Sequence, residues 1–191
     1  LAYKNNFSCA NCHVNPDGGS LRNDVGRSYG QSILPTKPGE LVPADYLKIS
    51  NYLQVGGDVR FNANFEQNDA NQDTKSFDIQ SAQIYAALSL PGNKLTLVLD
   101  QTLAPGVSIN REAYLLYQMD DTQQLKVGKM FLPFGIRLED DSAFIRQATG
   151  TNFDNSDNGI AYGRTMGRTE LDIFITNGTS QVTNDDEYFL Y

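Results

Sequence analysis

Cysteine and histidine are nearly absent from this chain: its 191 residues include two cysteines and one histidine. Two cysteines cannot form the framework of several disulfides that holds small secreted domains together. No run of about 18 apolar residues occurs, so we expect no transmembrane helix. The net charge of −8 at pH 7 argues against nucleic acid as a partner, because binding to phosphates needs basic residues.

The scarce residues are concentrated at one place, where Cys9, Cys12 and His13 form a C-x-x-C-H motif. Two thiols at this spacing can add to the two vinyl groups of one haem, and the adjacent imidazole can then bind the iron. The sequence therefore predicts one covalent haem c. Cys9 and Cys12 would anchor it, and His13 would be the proximal iron ligand.

Three other uses of these residues compete with the haem interpretation. A thioredoxin-like redox pair has the same cysteine spacing but needs a βαβ context, which the loop-like NPDGGS after the motif does not supply. A disulfide between Cys9 and Cys12 would close only a small loop and would stabilise little. A zinc site needs about four ligands, and the chain has no further Cys or His. Haem c is the interpretation that uses all three residues together.

The sixth ligand of the iron is open, because the chain has no second histidine. The thioethers of the chain are Met119, Met130 and Met166. Met130 alternates in phase with the polar Lys126 and out of phase with Val127, which makes it the best placed of the three as a distal ligand. It could equally fill packing space. The amine of Leu1, a ligand from a partner chain and an open coordination site are the alternatives.

The chain divides into three regions by composition. Residues 1–30 hold the haem motif and a polar, glycine-containing loop. Residues 31–48 contain three prolines, which predict an extended connector rather than a helix: Pro35, Pro38 and Pro43. Residues 49–191 alternate between apolar and polar side chains. Covalent haem attachment takes place outside the bacterial cytoplasm or in organelles, so we expect an exported protein in its mature form, without a signal peptide.

The clearest alternation covers residues 53–66. Its apolar face contains Leu53, Val55, Gly57, Val59, Phe61, Ala63 and Phe65, with polar residues between them. Strict alternation of this kind predicts a long strand with one apolar and one polar face. The same pattern predicts further strands at 77–90, 94–103, 111–119, 125–131, 159–166 and 171–175, and the start of another at 187–191.

These strands predict an all-β fold that is an antiparallel β-barrel of the transmembrane type. Membrane-barrel strands need about nine to eleven residues, whereas globular strands usually have about five or six. Short turns at 91–93 and 120–122 alternate with longer loops, notably 132–157, as in outer-membrane barrels. Such barrels have an even number of strands, eight or more, so we expect residues 49–191 to be the leading part of a longer barrel or one of several chains that complete one. A soluble β-sandwich would also alternate.

Three segments resemble a family of bacterial outer-membrane porin-like proteins: CANCHVNPDGGSLRNDVGRSYG, VGKMFLPFGIRLEDD and TNFDNSDNGIAYGR. These proteins carry an N-terminal monohaem c motif ahead of a barrel related to the phosphate-selective porins. The resemblance implies an outer-membrane location, contact with membrane lipid, a haem segment on the periplasmic side and electron passage across the membrane. The family's proteins are about twice as long as this chain.

Three functions compete at this point. The first is electron transfer between a periplasmic haem and a partner, either another cytochrome or another copy of the chain. The second is a diffusion porin with a structural or sensory haem. The third is a redox enzyme that uses an open iron face. A segment of about fifty residues has little core of its own, so the haem must pack against the barrel mouth or a partner.

Overall fold

A computed structural model describes residues 7–19, 21–34, 49–67, 73–92, 94–132, 156–167, 169–178 and 189–190. The amine of Leu1, the three connector prolines and most of the predicted long loop lie outside the described residues. The elements are a 3-10 turn at Cys9–Asn11, a helix α1 (Asp24–Ser32), and the strands β1 (Leu53–Gln67), β2 (Asp73–Ser89), β3 (Leu95–Ala104), β4 (Ile109–Gln118), β5 (Gln123–Phe131), β6 (Ser156–Met166), β7 (Thr169–Thr176) and β8 (Phe189–Leu190).

The strands form one open antiparallel sheet in the order β1 to β8, each strand bonded to the next along the chain. This confirms the predicted all-β antiparallel fold. Tight turns join β2 to β3, β4 to β5 and β6 to β7 at one end of the sheet. Neither helical segment of the described chain has the length and hydropathy needed to cross a bilayer.

Helix α1 is a feature that the sequence analysis did not predict, because it assigned residues 1–30 to loop and 31–48 to an extended connector. The helix crosses that boundary and ends at Ser32. Its sequence contains two glycines, which are poor helix formers. The Asn23 side chain compensates by accepting a hydrogen bond from the Gly26 N–H at 2.9 Å, which is the geometry of a helix N-cap.

A row of aliphatic residues crosses strands β1 to β7 in register. Its members, each paired with the next, are Leu53, Leu88, Leu97, Leu115, Val127, Ile160 and Ile175. Val127 and Ile160 are 43% and 53% exposed. We call the face that carries this row the outer face. It is apolar and exposed from β2 to β7.

The opposite face, which we call the inner face, carries the polar and charged side chains. Asp100 and Glu112 are both 0% exposed, and Lys126 is also buried. Tyr114 lies beside them in a small apolar cluster with Met130. The N-terminal segment, residues 7–34 without the undescribed residue 20, lies against this face and covers part of it.

Candidate functional site

Apolar contacts fix the N-terminal segment to the inner face. Leu21 is buried in a cluster with Tyr85 and Ala87 of β2, and Val14 packs against it. A Cβ atom added to Gly56 would lie 2.8 Å from Leu21 Cδ1. The absence of a side chain at Gly56 therefore makes room for Leu21.

Polar contacts fix the same segment to β4 and β5. The Asn15 amide nitrogen donates to both carboxylate oxygens of Glu112, at 3.4 and 3.3 Å. Lys126 Nζ donates to Asn15 Oδ1 at 2.8 Å and forms an ion pair with Asp17. The Lys126 ammonium also lies 5.1 Å from the ring centroid of Tyr114. These charges are thus paired with the segment, as groups removed from water must be.

One backbone turn holds the C-x-x-C-H motif together. The N–H groups of Cys12 and His13 both donate to the carbonyl of Cys9, at 3.1 and 2.9 Å. Both cysteines are half-buried thiols that are not joined in a disulfide. The turn therefore brings the three predicted haem residues together in the backbone.

His13 is oriented by the glycine loop that follows the motif. Its Nδ1 lies 2.8 Å from the carbonyl oxygen of Gly19. A carbonyl oxygen can only accept, so Nδ1 carries a proton, and in the neutral imidazole Nε2 then keeps the lone pair that can bind a metal. Gly18 and Gly19 have φ of 87° and 72°, a region that favours glycine and that turns the Gly19 carbonyl back to the ring. A backbone carbonyl on the other ring nitrogen is typical of metal-binding histidines.

Asn23, the N-cap of helix α1, and Gly26 in its first turn both contact the motif. The Asn23 amide nitrogen donates to the carbonyls of Ala10 and Asn11, each at 3.1 Å. A Cβ atom on Gly26 would lie 2.0 Å from the Cys12 carbonyl oxygen. Only glycine permits this approach of the helix to the motif.

A cavity of about 470 Å³ lies between His13, the start of α1 and the inner face of β1 and β2. Its lining residues are His13, Gly19, Leu21, Arg22, Arg27, Gly56, Gly57, Asp58, Arg60 and Tyr85. This volume falls in the range of about 300–1,000 Å³ that is usual for small-molecule sites.

Cys9 lines a second cavity of about 100 Å³, together with acidic residues of the segment and of β7. Burial raises the pKa of the Cys9 thiol, and the nearby carboxylates of Glu170 and Asp17 raise it further. The side chains of Cys9 and His13 thus line different cavities, although the backbone turn joins them.

Met130 faces inward with Lys126, as its sequence phase predicted. It is 1% exposed and packs in the apolar cluster with Tyr114 and Phe174. Neither Met130 nor another methionine is among the residues that line the His13 cavity. Met166 is exposed at the end of β6. The role of Met130 as a distal ligand stays a prediction, and the packing role is the one that the contacts describe.

The residues present fit a covalent haem c by their chemistry. They supply two thiols, an imidazole whose Nδ1 lies 2.8 Å from the Gly19 carbonyl oxygen, and the buried guanidinium of Arg27. Arg27 Nε and Nη1 are buried and have no hydrogen-bond partner among the described residues. In the described part of the chain, no cluster of three or more His, Cys, Asp or Glu side chains could hold a metal ion.

Sequence analysis missed Arg27, Asn23 and Asn15, because a single arginine or asparagine in a loop carries no spacing signal. The Gly18-Gly19 pair was visible, but its carbonyl contact with His13 depends on three-dimensional structure. No protein-family model, no curated protein and no solved structure matches this chain. The resemblance to porin-like proteins therefore still rests on the quoted segments.

Proposed function

We propose that this chain belongs to an outer-membrane c-type cytochrome with a porin-like barrel, which passes electrons between its own haem and a partner cytochrome or a second copy. The observation that carries the proposal is the position of the C-x-x-C-H turn. It lies on the polar inner face of a sheet whose outer face is apolar and exposed. The sheet would be the leading part of the barrel.

The distribution of side chains supports a lipid-facing outer side. A soluble protein buries its apolar side chains and exposes its charges. Here Asp100 and Glu112 are buried, whereas Leu97 and Ile175 are about half exposed. Aliphatic residues facing lipid and polar residues facing the interior are the arrangement of membrane barrels. With the haem segment at the periplasmic side, the short turns would lie at that side too.

Each residue of the site then has a defined role. A bound haem supplies one-electron redox chemistry at its iron. Cys9 and Cys12 would hold it covalently, and His13 would bind the iron through Nε2. The Gly19 carbonyl fixes the imidazole orientation and makes it a stronger donor. Asn15, Asp17 and Leu21 tie this assembly to the sheet.

The test is expression of the chain with a cytochrome c maturation system, followed by mass spectrometry and absorption spectra with and without carbon monoxide. We expect the mass of one added haem and a low-spin reduced spectrum that carbon monoxide does not change. The Cys9→Ala/Cys12→Ala variant should carry no haem. A wild-type chain without covalent haem would refute the proposal, and rapid carbon monoxide binding would favour a redox enzyme with an open iron.

A diffusion porin with a structural haem is the second candidate, and the polar inner face favours it. The N-terminal segment covers that face through Asn15, Asp17 and Leu21, which favours electron transfer instead. Conductance across a planar bilayer separates the two, because a diffusion porin would conduct ions with the segment in place.

A further inference from the structure

The loop that orients His13 begins with a tight turn. The Gly18 N–H donates to the Asn15 carbonyl at 3.0 Å, and the four residues of the turn are Asn-Pro-Asp-Gly. Asparagine in first place, proline in second and glycine in fourth are the preferences of a type I β-turn. The Asp17 N–H also donates to the Asn15 side-chain oxygen at 3.2 Å. Asn15 therefore holds the turn by its backbone and by its side chain.

The turn ends directly before the carbonyl that contacts the imidazole. Gly19 follows the turn, and its carbonyl oxygen lies 2.8 Å from His13 Nδ1. The Val14 N–H donates to the Leu21 carbonyl at 3.0 Å, which joins the two ends of the loop. A displacement of the turn therefore moves the Gly19 carbonyl relative to the ring.

Asn15 also connects this turn to the sheet. Its side chain is 1% exposed. The amide nitrogen donates to the Glu112 carboxylate of β4, and the amide oxygen accepts from Lys126 of β5 at 2.8 Å. Glu112 and Lys126 are themselves buried, so loss of these bonds would leave buried polar groups unsatisfied. Asn15 thus fixes the turn to two strands.

We propose that Asn15 is a positioning residue for the iron ligand. The sheet fixes the Asn15 amide, the amide fixes the turn, and the turn places the Gly19 carbonyl against His13 Nδ1. This rests on the proposed function, because it takes His13 to bind the iron. The strands of the proposed barrel thereby influence the haem through the hydrogen bond to its ligand.

The hydrogen bond at Nδ1 affects the reduction potential. A histidine that donates to a carbonyl is a stronger donor to its metal. A stronger donor favours the ferric state, which carries one more positive charge than the ferrous state. Loosening the turn weakens the bond, so the potential should rise. Loss of an outer hydrogen-bond partner typically changes metal affinity or activity about 10–100-fold, and the lower end applies to Asn15 because it acts through the turn.

The experiment compares Asn15→Ala and the Asn15→Asp/Glu112→Gln double variant with the wild-type holoprotein by spectroelectrochemical titration. We expect Asn15→Ala to change the ratio of ferric to ferrous haem about tenfold at fixed potential, a rise of about 59 mV for one electron. The double variant exchanges donor and acceptor at constant net charge, and glutamine keeps an oxygen for the Phe131 N–H. It should return the potential to near the wild-type value.

Two further variants guard against a loss of folding. Asn15→Ser keeps a residue that is favoured at the start of the turn but is too short to reach both strands, so it should raise the potential in the same direction. Asn110→Ala is the matched control. The Asn110 amide donates to three acceptors, all of them in β3 and β4, and its removal should leave the potential near wild type.

A second measurement needs no haem. In the Cys9→Ala/Cys12→Ala variant, hydrogen exchange of the His13 ring N–H can be followed by NMR in detergent micelles. The Gly19 carbonyl protects this N–H from exchange. We expect the Asn15→Ala substitution to speed the exchange about tenfold, and the Asn15→Asp/Glu112→Gln pair to restore the slow rate.

The outcomes separate the two proposals. Wild-type protein without haem would refute the cytochrome proposal, and the ring exchange would still decide the role of Asn15. Holoprotein whose potential is the same in Asn15→Ala and Asn15→Ser would overturn the positioning role and leave the cytochrome proposal intact. A shift that the double variant does not restore would assign the effect to general loosening of the segment and would also overturn that role.

Discussion

The two faces of the sheet carry side chains of opposite polarity. The outer face presents aliphatic side chains to the surroundings, as in Leu97, Val127 and Ile160. The inner face buries charges, as in Asp100 and Lys126. In a water-soluble sheet the apolar face would be the covered one. Burial in this sheet therefore follows the face on which a side chain lies and not its hydrophobicity.

On the inner face, charged and polar side chains are stabilised by specific partners. The outer face carries aliphatic side chains that resemble one another. Each buried charge on β4 or β5 that contacts the segment has a named partner, such as Asn15 for Glu112. The outer face needs no such partners, because aliphatic side chains have no polar groups to satisfy. Substitutions on the inner face should therefore lower stability by removing a hydrogen-bond or ion-pair partner. Substitutions on the outer face should lower it when they introduce a polar or charged side chain.

The largest effect is expected for Lys126→Met on the inner face. The substitution leaves Asp17 and Asn15 without their cation. Loss of one partner of a buried pair costs about 3–5 kcal/mol, and the lower end applies because Asp17 is 19% exposed. Urea unfolding of the protein in lipid vesicles, with limited proteolysis of the segment, measures this. The Lys126→Met/Asp17→Asn double variant should regain most of the loss. Effects below about 0.5 kcal/mol would mean that the segment is not held by this pair.

The next effect is expected for Val127→Arg on the outer face. An arginine at the middle of a lipid-facing barrel wall costs about 2–4 kcal/mol, which the unfolding free energy in vesicles reports. Val107→Arg is the matched control, because Val107 lies between β3 and β4 and is 81% exposed. We expect the control to change stability by less than about 0.5 kcal/mol. Equal, small costs at both sites would place the outer face in water.

A smaller loss of stability is expected from a substitution at the contact between helix α1 and the C-x-x-C-H motif, both of which lie within the N-terminal segment. Gly26→Ala places a methyl group against the Cys12 carbonyl, and overpacking of this kind costs about 1–3 kcal/mol. Hydrogen exchange of the motif amides and the yield of attached haem measure the loss. Gly30→Ala is the control, because its Cβ would meet only the mobile end of the Arg22 side chain. That variant should be neutral or slightly stabilising, and an equal loss in both would argue against the contact at Cys12.

The smallest effect is expected for Met130→Leu. The two side chains have similar volumes, so the cost should be below about 1.5 kcal/mol. The haem spectrum decides the role of Met130. An unchanged low-spin spectrum would leave it as a packing residue. A shift to high spin would establish it as the distal ligand and would overturn the packing assignment.

The strands could be predicted from the sequence, because apolar and polar residues alternate along a strand whichever of its two faces is buried. The strand positions followed, with β6 starting at Ser156 rather than 159. The sequence also contains a pattern that indicates the bulge in β2, which the strand prediction did not include. Apolar residues change from odd positions, Phe77 and Ile79, to even ones, Ala82 and Ile84. The register shifts there, where Arg60 is opposite Ser81 and Phe61 is opposite Ile79, and this shift keeps both groups on the outer face.

The site was readable only in part. Cys9, Cys12 and His13 are adjacent in sequence, so their spacing carried the prediction. Arg27 is brought to His13 by a helix whose two glycines lower its propensity. That helix depends on the Asn23 cap and on the contact of Gly26 with Cys12. Contacts between segments far apart in sequence do not appear in any local pattern.

The aliphatic row also affects how the strands find each other during assembly. Because side chains alternate with period two, a slip of one residue in any strand exchanges its two faces. For β5, such a slip would present Lys126 to the outer side and press Val127 against Asn15. Both placements are unfavourable, so the misaligned strand would be unstable. The alternating sequence therefore selects the correct strand register by itself during assembly.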